Sequence, residues 1–579
     1  MSTQKIPNSL KQIIQSNDGD YKGNLWATFN IDLDSNPGTI KTSRKLKRSV
    51  DNSINIWSAG SIFQAVVLHD GFYYAINNDD AIRCSVTNDP TVQANWSAVA
   101  GIWGFGTLYS DMTSFKGLLL TSTSTNIASY DGATLDNGWW TTIASGTALT
   151  ASKPHILEVL RTGADSLFIT DGNKIRYYNT AAAGTIITLD TLMTANCLTS
   201  GVDRMWVGTY TEVENNAWVY EVQVGNTATT QAYEIDGRVC LTMFTHNNTP
   251  FVITERGYIQ AFNGVGFQTI AQFPWANESK VMEGCRPGNV QDPNTSRAIH
   301  PKGAKVKGKY CYINVNADDE FITNDYLLSP RGASGVWVLD LETYSLTHRY
   351  AMADDVSPYG SSYVSNSGPI LVTNTPDTRL IVASFVNGKE GLWMESDNVN
   401  QGYFIATRHE ADSVADSFEA LVIKTDTLDT GEEVIAKYKD ESRPNFPLTI
   451  TDISWLDSTR FTTTNALTGV LEATEDIDGD EVEIISGVGA GQMAHIVTIE
   501  GGTTKTVTLD ASMGTVLNNL SDIRIESFKK IATNEERSGE YEKLGSAKGV
   551  SPSRQYKVVM KGNVVLREFI SKSNSKEEL

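Results

Sequence analysis

Short strand-like runs that recur at a nearly constant spacing constrain the fold of this 579-residue sequence more than any other feature. The runs are rich in Val, Ile, Phe, Tyr, Trp and Thr and are bounded by Gly, Asn, Asp or Ser, as is typical of strands and tight turns. The clearest runs begin at Phe72, Leu118, Leu167, Met205, Phe251, Tyr310 and Leu380. Most starts are roughly 40 to 50 residues apart, which is the length of one four-stranded propeller blade. The spacing therefore predicts a β-propeller.

A single blade cannot bury both of its faces, so neighbouring blades must pack around a common axis and the ring must close. We expect six to seven blades within residues 25–414. A Pro-Gly turn at residues 37–38 precedes another strand-like stretch, and we expect this stretch to complete the last blade.

Beyond about residue 415 the blade rhythm stops and alternating strands indicate separate modules. Residues 415–462 and 528–570 are predicted to form a β-sandwich, and residues 463–527 a small inserted β-barrel. Residues 1–24 are interpreted as an N-terminal arm and residues 571–579 as a flexible tail. The predicted fold class is all-β.

The charge balance argues against a general phosphate-binding surface. Lys and Arg total 47 and Asp and Glu total 68, so the net charge is −21. One basic cluster is interpreted as a solvated strand edge or a subunit contact rather than a nucleic-acid patch; it comprises Lys41, Arg44, Lys45, Lys47 and Arg48.

The five cysteines are spread widely and form no C-x-x-C pair, which indicates neither a disulfide framework nor a zinc site. No apolar run suits a signal peptide or a bilayer span, so membrane insertion is not expected.

The common local signatures of zinc, serine and nucleotide chemistry do not occur in the sequence. The glycines at 487, 489 and 491 do not match a dinucleotide-binding loop, because no third glycine stands at the required spacing and no helix follows them. The segment Asp476-Ile-Asp-Gly-Asp480 resembles a calcium loop, but its glycine is misplaced and Gly487 stands where a bidentate Glu is needed. We therefore predict no catalytic residue, no metal site, no cofactor and no enzyme activity.

Exposed aromatic residues could still bind a sugar. The nearest sialidase-like box, at residues 129–136, fails because Ala133 replaces the required glycine and Leu135 the Thr. Trp139, Trp140 and Trp206 remain candidate glycan contacts, since aromatic faces stack well on sugar rings, with core packing between blades as the alternative.

The blade rhythm, the turn at 37–38, the segment 434–439 and the Gly489-Ala-Gly-Gln insert resemble propeller-bearing tail proteins of tailed bacteriophages. The most similar type is the nozzle, or tail tubular protein B, of short-tailed phages. The resemblance covers roughly residues 25 to 570 and implies a homo-oligomeric, hexameric ring in the virion tail, assembled in the host cytoplasm.

In that family the ring extends the portal and adaptor channel, lets DNA pass transiently and without sequence specificity, and docks tail-fibre proteins. A net negative wall suits such a conduit because it repels DNA. We therefore expect the acidic residues Asp318, Asp319 and Glu320 to face the lumen. The alternatives are a receptor- or glycan-binding fibre or adhesin, and a propeller that depolymerises capsular polysaccharide.

Overall fold

A computed structural model gives the fold of most of the chain. It describes residues 2–5, 25–33, 39–51, 63–77, 81–99, 111–151, 153–162, 165–179, 183–223, 231–273, 299–315, 335–350, 352–353, 364–373, 380–386, 389–399, 401–406, 409–410, 417–439, 448–474, 478–484, 492–513, 523–534, 542–544 and 553–574. Most of these residues lie in strands, and the helices among them are a 3-10 helix at Gln93–Asn95 and an α-helix at Trp139–Thr142. No described helix is long and apolar enough to cross a membrane.

Seven sheets follow one another along the described part of the first four hundred residues, and we number them as blades 1 to 7. Blade 1 contains Ala65–His69, Phe72–Ile76, Ala81–Ser85 and Ser97–Ala98. Blade 2 contains Met112–Phe115, Leu118–Ser122, Ile127–Tyr130 and Leu135–Asp136. Blade 3 contains Leu157–Leu160, Ser166–Asp171, Lys174–Tyr178 and Ala183–Thr188. Blade 4 contains Met193–Ser200, Arg204–Thr211, Trp218–Gln223 and Gln231–Glu234.

The remaining three sheets complete the ring. Blade 5 contains Cys240–His246, Thr249–Thr254, Tyr258–Phe262 and Phe267–Gln272. Blade 6 contains Ala304–Lys307, Tyr310–Val315, Gly335–Asp340 and Leu346–Tyr350. Blade 7 contains Val364–Val372, Leu380–Val386, Lys389–Val399, Arg44–Val50 and Met352–Ala353. The first strands of successive blades lie side by side, and the first strand of blade 7 lies against that of blade 1. The result is a closed β-propeller.

All seven runs on which the spacing argument rests are second strands of blades, one in each. Tight turns set this register: Asp70–Gly71, Lys116–Gly117 and Asn247–Asn248 have positive φ at both central residues, the geometry of two-residue hairpin turns. The basic run at 44–50 is the expected closing strand, because it pairs antiparallel with Lys389–Val399. Its Leu46 and Val50 are fully buried.

Two further sheets share one core. The first comprises Ile31–Asp32, Ile40–Thr42, Val565–Asn574, Ser417–Thr425 and Glu542–Leu544, with Ser2–Lys5 paired to Val565–Asn574. The second comprises Leu25–Phe29, Gln401–Ala406, Ser553–Lys561, Glu433–Lys439 and Lys529–Asn534, with His409–Glu410 paired to Ser553–Lys561. Side chains from both, including Ile423, Phe569, Val434 and Val558, form a single buried cluster. We refer to the pair as the two-sheet module.

A seven-stranded sheet, here called the insert sheet, interrupts the two-sheet module. Its strands in sheet order are Leu448–Ile450, Ile523–Glu526, Glu481–Ile484, Met493–Gly501, Lys505–Leu509, Arg460–Thr463 and Ile453–Asp457. It has its own core, which includes Phe461, Val482, Ile496 and Val507.

The strand pairing draws the module boundaries differently from the sequence analysis. Residues 448–462 pair within the insert sheet and not with the module expected to contain them. Leu25–Phe29 and Gln401–Ala406, expected in the propeller, pair in the two-sheet module. Strand Val565–Asn574 continues past the expected start of the tail at 571. Alternating sequence marks a strand but not its partner, so only the folded chain assigns these segments.

Candidate functional site

The axis of the propeller holds a cavity of about 520 Å³. The first strands of all seven blades surround it because these strands are the innermost of each sheet. Contributions from blades 1 to 7 in order include Val67, Thr113, Val159, Ser200, Thr245, Val306 and Ile370. This cavity is the candidate site.

Lys302 reaches across this axis. It precedes the first strand of blade 6, yet its Nζ donates to the Leu157 carbonyl at 2.9 Å and to Glu158 Oε2 at 2.6 Å, both on blade 3. The same Nζ lies 3.8 Å from Asp111 Oδ2, beside blade 2. Blades 3 and 6 stand on opposite sides of a seven-membered ring, so the ammonium group spans the opening between them. Lys302 therefore obstructs the axis of the propeller.

The backbone around Lys302 is fixed to other blades. The Pro301 carbonyl accepts a hydrogen bond from Thr242 Oγ1 of blade 5 at 2.8 Å. The Ile370 amide of blade 7 donates to the Lys302 carbonyl at 3.1 Å. The segment that carries Lys302 is thus tied to blades 5 and 7 while its side chain is tied to blades 2 and 3.

The two carboxyl groups around Lys302 have different protonation properties. Asp111 is fully buried and accepts hydrogen bonds from the Met112 and Leu157 amides, both at 2.8 Å. Burial raises the pKa of Asp111 to about 6, against the opposing charge of Lys302. Burial also acts to raise the pKa of Glu158, but the charge and hydrogen bond of Lys302 outweigh it and the net pKa is lowered. The pKa of Lys302 is raised, because its carboxylate partners outweigh burial.

This arrangement suits a structural lock better than catalysis. Two carboxyl groups near one cavity could serve acid–base chemistry, but here a lysine stands between them and binds both. Asp111 also accepts two backbone hydrogen bonds, which leaves it poorly placed to contact a substrate. The group ties three blades together across the ring.

The three candidate tryptophans are buried, so none presents an open face to a sugar. Trp139 and Trp140 lie on the short helix Trp139–Thr142. Trp140 is 0% exposed, and Gly146 packs so closely that a Cβ there would lie 2.0 Å from the indole. Trp206 packs against Phe262, with ring centroids 5.2 Å apart. The core-packing alternative describes all three residues in this structure.

The acidic residues Asp318, Asp319 and Glu320 lie outside the described residues, so their placement at a lumen stays a prediction. In the calcium-like segment, Asp480 is buried and accepts the Leu471 amide at 2.9 Å, which fits a turn. Nothing in the sequence pointed to Lys302, Glu158 and Asp111, because ring closure alone brings them together.

A second buried charged group joins the insert sheet to the two-sheet module. Glu481, on the insert sheet, forms ion pairs with Lys437 and with Lys557, the latter at 2.5 Å. All three side chains are at most 2% exposed. Burial acts to raise the pKa of Glu481, but the two ammonium charges outweigh it and hold the pKa far below its usual range. Lys557 also lies 4.3 Å from the centre of the Tyr403 ring.

Seven sheets closed in a ring define the class of this fold, the β-propeller. No protein-family model matches the chain, and a search of curated proteins gives no match. Solved structures with a similar fold include the computationally designed Ika8 protein, with 9% identity over 61% of this chain and all of that one, at a TM-score of 0.35. BBS1N in complex with ARL6DN gives 10% identity, 62% and 99% coverage and a TM-score of 0.36. The Cps50 (Swd1) β-propeller domain of Myceliophteria thermophila gives 9% identity, 58% and 97% coverage and a TM-score of 0.36.

Proposed function

We propose that this chain is a structural component of a bacteriophage tail, of the nozzle or tail-hub type. In this proposal a homo-hexameric ring of copies forms part of the DNA exit conduit and docks portal, adaptor and fibre subunits. Support comes from the sequence resemblance to phage tail proteins and from the net charge of −21, which disfavours adhesion of DNA to the wall. In the same proposal the two-sheet module is a β-sandwich, the insert sheet is a small barrel, and the protein is not an enzyme.

The obstructed propeller axis is the observation that carries the proposal. Lys302 crosses the axis and is held at both ends, so no polymer can thread through one subunit without breaking its ion pairs. A DNA conduit built from this chain must therefore lie between subunits. Each propeller then acts as a rigid block in the wall, a role that needs a closed ring and no reactive centre.

Electron microscopy of the purified protein, alone and with its genomic neighbours, tests the proposal. The expected result is a ring with a central hole about as wide as duplex DNA, with the propellers in its wall. Elongated trimers, together with glycan-array binding, would replace the proposal with the fibre or adhesin. Release of oligosaccharide from host capsule would replace it with the depolymerase.

The same maps test the acidic lumen. Asp318, Asp319 and Glu320 are proposed to face the hole, where their charge would repel the DNA backbone. A hole lined by Lys and Arg would overturn that placement while leaving the ring itself intact.

A further inference from the structure

Three side chains of the kinds that bind metal ions meet at one end of the insert sheet. Asp478 precedes strand Glu481–Ile484, His495 lies on the neighbouring strand Met493–Gly501, and Asp510 follows strand Lys505–Leu509. These three strands are adjacent in the sheet. One ring nitrogen and one oxygen from each carboxylate all lie within 4.8 Å of one another.

The backbone fixes two of the three groups. The His495 amide donates to Asp510 Oδ1 at 2.7 Å, and the Asp510 amide donates to the His495 carbonyl at 2.9 Å. His495 Nδ1 consequently lies 3.3 Å from Asp510 Oδ2. Ligand atoms bound to one Zn²⁺ at about 2.0 to 2.2 Å stand a little over 3 Å apart, so this pair already has the required separation.

The buried ring of His495 offers one of its two nitrogens to this cluster. The residue is only 5% exposed, yet its Nε2 has no hydrogen-bond partner among the described residues. Its Nδ1 faces the Asp510 carboxylate, so Nδ1 is the nitrogen available to an ion bound there, and the buried Glu481 carboxylate interacts with the ring electrostatically.

We propose that Asp478, His495 and Asp510 bind a divalent transition-metal ion of the Zn²⁺ type. An imidazole with two carboxylates suits Zn²⁺ or Mn²⁺, whereas Ca²⁺ and Mg²⁺ prefer oxygen ligands alone. Asp510 is exposed and Asp478 partly exposed, so an ion can enter from solvent. The bound ion links three strands of the insert sheet, and water completes its coordination.

Lys530 supplies the positive charge beside this site in the structure, with its Nζ 3.8 Å from Asp478 Oδ2. Its side chain is about one-third exposed and can move into solvent when a cation binds. Because an ammonium group and a divalent cation compete for the same carboxylate, removal of Lys530 is expected to strengthen metal binding. A residue that merely packs the sheet would not have this effect.

The test measures Zn²⁺ binding to the full-length protein by calorimetry and Co²⁺ binding by its visible absorption. We expect one Zn²⁺ per chain and a Co²⁺ spectrum without a thiolate charge-transfer band. Binding should be at least about tenfold weaker in D478N and D510N. It should be about threefold tighter in K530Q, which is the scale of one partly exposed ion pair. D457N is the matched control, since Asp457 is an exposed aspartate of the same sheet that pairs with Arg460, and its affinity should be unchanged.

Two results would overturn the site. One is failure of the wild-type protein to bind any of the ions Zn²⁺, Co²⁺ and Mn²⁺ stoichiometrically at an ion concentration of about 1 mM, which would occupy even a site with a Kd of about 0.1 mM. The other is undiminished binding by D478N and D510N whose circular dichroism matches the wild type. D478N changes a partly exposed side chain, so this variant keeps the test meaningful if D510N fails to fold.

Discussion

Asp111 gives the propeller a pH dependence at the scale of a single residue. Its pKa is about 6 in the fold and near 3.8 in an unfolded chain, so the folded state binds more protons between these values. The stability that Asp111 contributes is therefore present below about pH 4 and falls as the pH rises through 6. The raised pKa corresponds to a loss of stability on the order of 3 kcal/mol.

Urea unfolding of the wild type and D111N between pH 4 and 7 measures this loss. The free energy of unfolding of the wild type should decrease relative to that of D111N as the pH rises across that window. Above the window the difference between the two proteins should stay constant. The amide side chain in D111N has one hydrogen-bond acceptor fewer than the carboxylate, but this cost does not depend on pH. Only the pH dependence of the difference between the two proteins therefore tests the raised pKa. Parallel pH profiles for the two proteins would refute the raised pKa.

Lys302 should stabilise the ring because it neutralises both neighbouring carboxyl groups. K302M leaves Asp111 and Glu158 without their cation, and we expect a loss of about 2 kcal/mol, reduced from the fully buried case because Lys302 is partly exposed. K174M is the control, since Lys174 is an exposed lysine of blade 3, and it should change stability by less than about 0.5 kcal/mol. Equal effects of the two substitutions would contradict the role of Lys302.

Residue-scale features of this kind could not be read from the sequence. Asp111, Glu158 and Lys302 belong to different blades, and no local pattern distinguishes them from surface charges. Burial likewise distinguishes the two possible roles of the tryptophans. The sequence around them is compatible with a sugar contact and with core packing. In the structure, Trp140 is buried against Gly146 and Trp206 against Phe262.

At the scale of elements, the propeller could be predicted from the local pattern of apolar residues and from the residues of the turns. The second strand of each blade is central in its sheet and buried on both faces, so it forms a compact apolar run between turns. Edge strands such as Ser97–Ala98 and Leu135–Asp136 are short and partly exposed and give no such signal. The strands Leu25–Phe29 and Gln401–Ala406 are wrongly assigned to the propeller in the sequence analysis because their partners are distant in sequence. The two strands pair with each other, and Gln401–Ala406 also pairs with Ser553–Lys561.

The closing strand Arg44–Val50 should contribute to the stability of the whole ring. Leu46 is fully buried in a cluster with Trp393 of blade 7 and Val336 of blade 6. L46A is expected to cost about 2 to 5 kcal/mol, through lost burial and the cavity left behind. K47A changes the adjacent exposed residue of the same strand and should cost less than about 0.5 kcal/mol. Chemical denaturation measures the stability of both variants. A small effect of L46A would show that the closing strand contributes little to the stability of the ring.

At the scale of the whole molecule, the propeller and the two-sheet module share a core while the insert sheet has its own. Phe29, Tyr403 and Val559 of the two-sheet module pack in one buried cluster with Ile313 and Trp337 of blade 6. Heat should therefore unfold these two parts together. The insert sheet has its own core, and it contacts the rest of the chain through Met493, which packs against the shared cluster, and through ion pairs of Glu481 and Glu526. We expect the two buried ion pairs of Glu481 to contribute most to this attachment.

E481Q tests this dependence by calorimetry. It removes the carboxylate that pairs with two buried ammonium groups, and breaking a buried pair in this way costs about 3 to 5 kcal/mol. Because Glu481 lies on the insert sheet, we expect that sheet to unfold at a lower temperature, ahead of an almost unchanged main transition. The triple variant K437M/E481M/K557M removes all three charges together and should recover part of the lost stability, since the buried Glu483, which loses Lys557, keeps its interaction with Arg524. A uniform shift of the whole transition in E481Q would mean that the insert sheet and the rest of the chain unfold as one unit.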